Sequence, residues 1–396
     1  LEIIIFMRRK ILLTKMKKIG IISYFNYYNY GSMLQGYALQ KCISDMSDDV
    51  ECEIINYRNL QAGATSKRQL LKIRCKRIIY YVMHLKEVLT KAKYAEMFAI
   101  RNTVFDAFLK TYTNTTKTFY RTKQQLVDSP PVYDIYITGS DQTWSPKVSG
   151  GYNETPMFLD FAISGARKAA YAPCLGVVSL TVEQKLFLKE KLKSYSLISC
   201  REVNGSSLLS QITGQVVPAV VDPTLLLTAK QWREIMVKPK NEKKYIFCYF
   251  LGDRHYYRDF AKQLSKQTGL PLYYLPVNWR EFSDDANRIW NAGPREFVGL
   301  IEGASYVCTD SFHGVAFSCN LNKDFFAFVK QVGKESAGDN SRIFDFLERV
   351  GLQNRLLTSY DGGLIDTSTI DYNNVNKTFA AERAKAYSFI NKIINL

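Results

Sequence analysis

The sequence predicts an α/β protein built from two Rossmann-like, doubly wound domains that face each other across a cleft. Three observations lead there. A chain of 396 residues is too long for one compact core and suits two domains of ordinary size. Short apolar runs resembling buried strands alternate with longer stretches of helical periodicity, the pattern of a parallel sheet covered on both faces. The alternation comes in two series, divided at Asp222-Pro223, where the chain stops before the helical Ala229-Lys230-Gln231-Trp232.

In the first series, Lys18 to Tyr24 reads as a strand and Asn26 to Gly31 as a loop. Ser32 to Asp45 follows as a helix with Leu34, Ala38 and Leu39 at helical spacing, and Glu51 to Tyr57 as the next strand. A helical region covers about 67 to 111. Asp134 to Thr138 is a strand that ends in Gly139-Ser140-Asp141-Gln142-Thr143-Trp144; Arg167 to Ala172 is a strand and Val182 to Tyr195 a helix. Leu197 to Cys200 is a strand leading into Arg201-Glu202, and Val216 to Val221 a strand ending at Asp222. In the second series Tyr245 to Leu251, Leu272 to Leu275, Tyr306 to Thr309 and Phe325 to Val329 are strands, with helices at Tyr256 to Gln267 and Pro294 to Glu302. The expected organisation is an extension over 1–16, an N-terminal domain over 17–225, a C-terminal domain over 226–375, and a last helix within 376–396 that packs back on the first domain.

Composition restricts the function classes. The chain is 46% hydrophobic and 23% charged, without low-complexity tracts or repeats, and no apolar run approaches the roughly 18 residues of a membrane span. Its eight cysteines never fall as C-x-x-C, so neither a zinc site nor a disulfide framework is suggested, and a reducing cytoplasm fits best. The initial Ile3-Ile4-Ile5-Phe6 precedes Arg8-Arg9-Lys10, the reverse of a signal peptide. A formal charge of +16 suits anionic substrates, lipid head groups or nucleic acid alike. No nucleic-acid-binding motif accompanies it, so no nucleic-acid partner is expected. Between Lys67 and Lys93 nine Lys/Arg and one acid interleave with apolar residues. This segment reads either as an ordinary helix with a basic outer face or as one that docks on an anionic membrane.

Ligands of doubly wound sheets bind beyond the carboxyl ends of the strands, and Asn29, Ser140, Asp141, Arg201 and His313 all fall there. Thr309-Asp310-Ser311-Phe312-His313-Gly314 places one of only three histidines where a strand hands over to a helix. Asp310 or Ser311 caps that helix, whose N-terminus suits a phosphate or carboxylate. His313 there either carries a proton or only hydrogen-bonds locally. Arg201 suits a forked contact to an anion or a structural ion pair with Glu202, and Arg342 is a second such candidate. On the other side, Asn29, Tyr30, Gly31, Gly139, Ser140 and Trp144 offer amides and rings for a sugar, with Tyr28 as a further ring. Asp141 would accept a proton from a hydroxyl; alternatively these residues only shape turns and pack.

Asn29-Tyr30-Gly31 with Gln35 and Tyr37-Ala38-Leu39-Gln40, Gly139 to Trp144, Arg201-Glu202, Asp222-Pro223-Thr224-Leu225-Leu226 and Thr309 to Gly314 together resemble the polysaccharide pyruvyl transferase family over roughly residues 17 to 350. The resemblance implies a GT-B-like fold. It also implies transfer of a pyruvyl group from phosphoenolpyruvate to two hydroxyls of one sugar, giving a cyclic ketal and phosphate, with no cofactor beyond phosphoenolpyruvate as co-substrate and no metal. His313 and Asp141 become the catalytic pair, and Arg201, Ser311, Gly314 and Arg342 the donor site. The setting implied is bacterial exopolysaccharide or capsule biosynthesis in the cytoplasm, at the inner face of the membrane, with a sugar or lipid-linked oligosaccharide as acceptor. Some members carry an Arg two residues before this histidine where this chain has Ser311, so anion binding falls to Arg201, Arg342 or Lys330. A nucleotide-sugar glycosyltransferase and a non-catalytic saccharide-binding protein are the alternatives; no G-x-G-x-x-G or P-loop supports the former.

Overall fold

The structure is a computed structural model, described for residues 16–59, 85–147, 155–239, 243–252, 255–277, 287–330 and 337–396. The expected extension up to residue 15 and the basic segment from 67 to 84 lie outside the described residues.

The first half folds in the order β1 (Lys17–Ile22), α1 (Tyr30–Met46), β2 (Val50–Ile54), α2 (Leu85–Tyr112), α3 (Lys123–Asp128), β3 (Ile135–Thr138), β4 (Arg167–Ala170), α4 (Val182–Leu192), β5 (Tyr195–Ile198) and α5 (Val203–Thr213). Its five strands form one parallel sheet in the order β2-β1-β3-β4-β5. The second half comprises α6 (Ala229–Ile235), β6 (Ile246–Tyr249), α7 (His255–Thr268), β7 (Leu272–Tyr274), β8 (Asn287–Arg288), α8 (Pro294–Gly303), β9 (Tyr306–Thr309), α9 (Phe312–Asn320), β10 (Asp324–Phe328), α10 (Ala337–Val350), β11 (Leu356–Leu357) and α11 (Tyr372–Ile394). Its six parallel strands run β11-β10-β9-β6-β7-β8. Both sheets are thus doubly wound, and the two Rossmann-like halves are present.

Local chemistry sets the element ends. Asn29 caps α1 by accepting from the Ser32 N–H at 3.1 Å, and Ser311 caps α9 by accepting from Gly314 N–H at 3.4 Å. Thr181 and Thr228 open α4 and α6 with capping boxes closed by Gln184 and Gln231. The C-terminal helix starts at Tyr372, earlier than its apolar spacing suggests, because Asp371 caps it through Asn373 N–H.

Val216 to Val221 is not a strand. Only an isolated bridge joins Cys200 to Ala219, with Cys200 N–H donating to Pro218 and Val220 N–H to Cys200. Pro218 has no N–H to continue a ladder, so the stretch is the crossing between the two halves.

The halves share one core. Tyr30 of α1 stacks on Phe297 of α8 at 4.8 Å and donates to Ala292 O at 2.8 Å. Tyr37 meets Trp232 at 5.8 Å, which in turn meets Phe317 at 4.9 Å. From α2, buried Arg101 donates to Trp290 O and Pro276 O at 2.8 and 2.5 Å. α11 returns to the first half, where Lys17 Nζ donates to Ile394 O at 2.6 Å. Among the described residues no helix is long and apolar enough to cross a membrane.

Candidate functional site

The carboxyl ends of β1, β3, β6, β9 and β10 converge on a cavity of about 380 Å³ between the two sheets. The first half contributes Tyr24, Tyr27, Asn29, Ser32, Asp141 and Gln142, and the second Leu251, Ser311, Phe312, His313, Lys330 and Arg342.

Where its wall backs onto a second, smaller chamber, Asp141 and His313 of the lining meet Arg201 and Asp222, which line the chamber behind. Arg201, 3% exposed, donates from Nη1 to Asp222 Oδ2 at 2.7 Å and holds Nη2 3.8 Å from Asp141 Oδ1. His313 Nε2 lies 3.6 Å from the same Asp222 oxygen, a charge contact beyond hydrogen-bond length. Asp222 Oδ1 accepts from the Thr224 N–H and hydroxyl, which fixes the carboxylate. Asp141 accepts from Ser32 Oγ at 2.8 Å, and the Arg201 guanidinium lies 4.5 Å above the Phe312 ring. Arg201 Nε and Nη2, Arg342 Nε and His313 Nε2 are buried atoms without a hydrogen-bond partner among the described residues. Orphaned donors of this kind are costly unless a ligand meets them.

The charges are mutually dependent. Burial works against ionisation of Asp141, but Arg201, His313, Arg342 and the Ser32 hydroxyl outweigh it and hold the carboxyl below its ordinary value. For Asp222 burial is again the largest influence, and His313, Arg201 and the Thr224 N–H overcome it, leaving the group a fixed anion. Desolvation opposes the charge of Arg201, yet the acids around it raise its pKa well above normal.

Two glycines make the geometry feasible. A Cβ on Gly31 would lie 2.0 Å from His313 Nδ1, so the imidazole of the second half rests directly on the first turn of α1. Gly139 has φ +133, and a Cβ there would lie 1.9 Å from Tyr171 O, so only glycine permits the turn that aims Asp141.

Of the residues singled out from sequence, His313, Asp141, Arg201, Arg342, Ser311 and Asn29 meet at this site. Gly314 lies beside it, its N–H used by the Ser311 cap. Three residues expected to contact a sugar are elsewhere. Trp144 is fully buried, stacked on Phe158, with its indole N–H on Met157 O. Tyr30 fills the seam between the halves. Ser140 is fully buried, its N–H on Gln35 Oε1 and its hydroxyl on Ala172 O. Tyr28 packs edge-on against Phe105. Arg201 pairs with Asp222, and Glu202 instead accepts from Cys174 Sγ at 2.6 Å and from Gly176 N–H. From sequence, Asp222 stands out as a domain stop and as part of a family motif, without a role in the site; its signal is an Asp at a chain exit, like Asp141, disguised by the following Pro. Tyr24 and Tyr27, in a loop whose tyrosines look alike, and Ser32, in the first turn of α1, are site residues that the sequence does not single out.

Two doubly wound sheets whose strand ends enclose a charged cleft define a GT-B-like α/β fold. The chain belongs to the polysaccharide pyruvyl transferase family, whose model matches residues 29–329. No curated protein is significantly similar to it in sequence. In fold it is similar to S. aureus MnaA in complex with UDP, with TM-score 0.50 and 12% identity over 95% of this chain and 91% of that one. It is also similar to E. coli heptosyltransferase WaaC with ADP (TM-score 0.40, 9% identity, 92% and 99% covered) and to UDP-GlcNAc 2-epimerase from Methanocaldococcus jannaschii (TM-score 0.42, 9% identity, 94% and 92% covered).

Proposed function

We propose that the protein transfers a pyruvyl group from phosphoenolpyruvate to two hydroxyls of a sugar, forming a cyclic ketal and releasing phosphate. The observation that carries this reading is the linked row Asp141–Arg201–Asp222–His313, flanked by Arg342 and Lys330, at the capped N-terminus of α9. A donor with a phosphate and a carboxylate matches the cationic groups and the helix end. Ser311 supplies the cap, and Arg201, Arg342 and Lys330 supply the positive charge.

The reaction needs one proton delivered to C3 of the enol, so that C2 becomes electrophilic. Two hydroxyl oxygens then bond to C2 while the C2–O bond to phosphate breaks. The two hydroxyl protons end on the new methyl group and on the phosphate. His313, oriented by Asp222, delivers one proton to C3, takes a second from an attacking hydroxyl and passes that one to the leaving phosphate. Asp141, ionised and fixed by Ser32, orients the attacking hydroxyl; as a weak base it suffices because the hydroxyl becomes acidic only as it bonds to C2. The setting that follows is surface-glycan assembly at the cytoplasmic face of a bacterial membrane, with a lipid-linked sugar as acceptor.

Phosphate release from phosphoenolpyruvate, measured with and without galactose- and mannose-containing lipid-linked acceptors, tests the reading. Acceptor-dependent release that disappears in His313→Ala is the expected result. Absence of both release and calorimetric phosphoenolpyruvate binding would sink it.

A further inference from the structure

The turn that follows Asp222 is held directly by the C-terminal helix, and the peptide that carries Arg201 is held by the same stretch of that helix through Arg349 of α10. Arg349 of α10 donates from Nη1 to the Arg201 carbonyl at 3.3 Å, and its Nη2 is paired with Glu382 of α11. One turn earlier in α10, Asp345 accepts the Val203 N–H at 3.0 Å and lies 3.8 Å from Arg349. Arg383, next to Glu382, donates to Leu225 O at 2.6 Å and to Asn320 Oδ1 at 2.7 Å, while Asn320 Nδ2 takes Thr224 O and Leu227 O. Tyr387 Oη donates to Leu226 O at 2.5 Å. The carbonyls of Thr224 to Leu227, just after Asp222, are thus all claimed by α9 and α11 or, for Thr224, also by the Trp232 indole.

These contacts are not ordinary surface pairs. The Arg349 and Glu382 side chains are 19% and 16% exposed, and their pairing spans from the helix to a backbone carbonyl beside a guanidinium that is itself 3% exposed. The short chamber between Arg201 and Arg342 is walled by Asp345, Arg349, Phe379 and Glu382. A charge-assisted contact that fixes a peptide fixes the direction in which its side chain leaves, and a sub-ångström error in a charged group is magnified at the reacting atoms.

We infer that Glu382 and Arg383 of α11, with Arg349 of α10, are positioning residues that set the Arg201–Asp222 pair from behind, making the C-terminal helix part of the donor site. The inference rests on the proposed pyruvyl transfer for its donor-binding readout and on hydrogen bonding alone for its structural one.

The test compares wild type with Arg349→Met, Arg349→Lys and Glu382→Gln in three measurements. These are phosphoenolpyruvate binding by calorimetry, thermal unfolding, and amide hydrogen exchange of the peptide spanning 199–206. Expected is about a tenfold weaker donor affinity in Arg349→Met and Glu382→Gln, the size of one lost charge-assisted contact, at little-changed Tm. Exchange around Val203 should be faster, and Arg349→Lys should recover part of both. Donor affinity and exchange equal to wild type overturn the inference, as does a loss that follows Tm alone, which marks a mere brace. If wild type binds no phosphoenolpyruvate, the proposed function falls, and the exchange at 199–206 in Glu382→Gln still decides the clamp: faster supports it, unchanged overturns it.

Discussion

Asp141 and Asp310 occupy equivalent places, each in the turn that leaves a central parallel strand at its carboxyl end, yet their fates are opposite. Asp141 opens onto the cavity, 3.8 Å from Arg201, and stays ionised because neighbouring cations outweigh its burial. Asp310 is fully buried and spends both oxygens on the N–H groups of Leu251 and Gly252 at 2.6 Å. Burial raises its pKa, and Lys330 and those amides offset only part of the rise. The topological position offers both acids the same place at the cleft. What divides them is the presence of a guanidinium in front of one and of a neighbouring strand's exit loop in front of the other.

The largest effect that would break this contrast is His313→Ala. Loss of a positioned acid should lower turnover about a hundred- to ten-thousandfold while acceptor binding, followed by calorimetry, persists. Undiminished turnover would remove the histidine from the chemistry and leave the Asp141 side of the comparison without a partner.

Next in size is the stability pair Asp222→Asn and Asp310→Asn, measured by urea unfolding across acid pH. Asp222→Asn leaves Arg201 buried with a weakened counter-charge and should cost about 3–5 kcal/mol at neutral pH. The folded pKa of Asp222 is depressed, so its contribution is complete above the ordinary 3.8 and is lost as pH falls towards the folded value. For Asp310 the sign reverses. Its folded pKa is raised, so wild type loses stability as pH climbs above 3.8, and Asp310→Asn should not show that decline. Two variants with the same pH slope would mean the two environments do not differ as described.

Gly31→Ala is the sharper geometric probe. A methyl 2.0 Å from the His313 ring must displace it, and a shift of about 1 Å is expected to lower kcat/KM roughly a hundredfold. Wild-type kinetics in this variant would show that the imidazole does not need its seat on α1.

The smallest expected effect is at Tyr27, on the cavity wall contributed by the first half, the side on which the proposed reaction would seat its acceptor. Tyr27 is 37% exposed, edge-packed on Tyr24 at 5.8 Å, with Asn59 N–H on its hydroxyl. Tyr27→Ala should raise the acceptor KM several-fold, about 1 kcal/mol, without changing the donor KM. An equal change in both constants would mean that the ring does not contact the acceptor.

Much of the architecture was legible in the sequence because parallel strands buried on both faces appear as short unbroken apolar runs, and β9 matches its run from Tyr306 to Thr309. β8 and β11 have two residues each, too few for any period, and went unseen. The false strand at Val216 to Val221 shows the converse, an apolar run with a proline that blocks pairing. At the site, the turn motifs marked the location but not the facing. Trp144, Tyr30 and Ser140 belong to the same turns as Asp141 and Asn29, and only the fold decides which side chains turn inward. Asp222 and Arg201 are 21 residues apart, and nothing local announces that they pair.

The common core of the two halves has a consequence for engineering. Two-domain transferases invite chimeras in which one half is exchanged to change a substrate, and here such an exchange would cut through Tyr30 against Phe297, Tyr37 against Trp232, and Arg101 on two carbonyls of the other half. A graft that keeps those contacts must transplant α1 and α2 together with the facing α6 and α8 and the loops that carry the Pro276 and Trp290 carbonyls. The protein is therefore better retargeted by redesigning the loops at the cleft than by swapping modules.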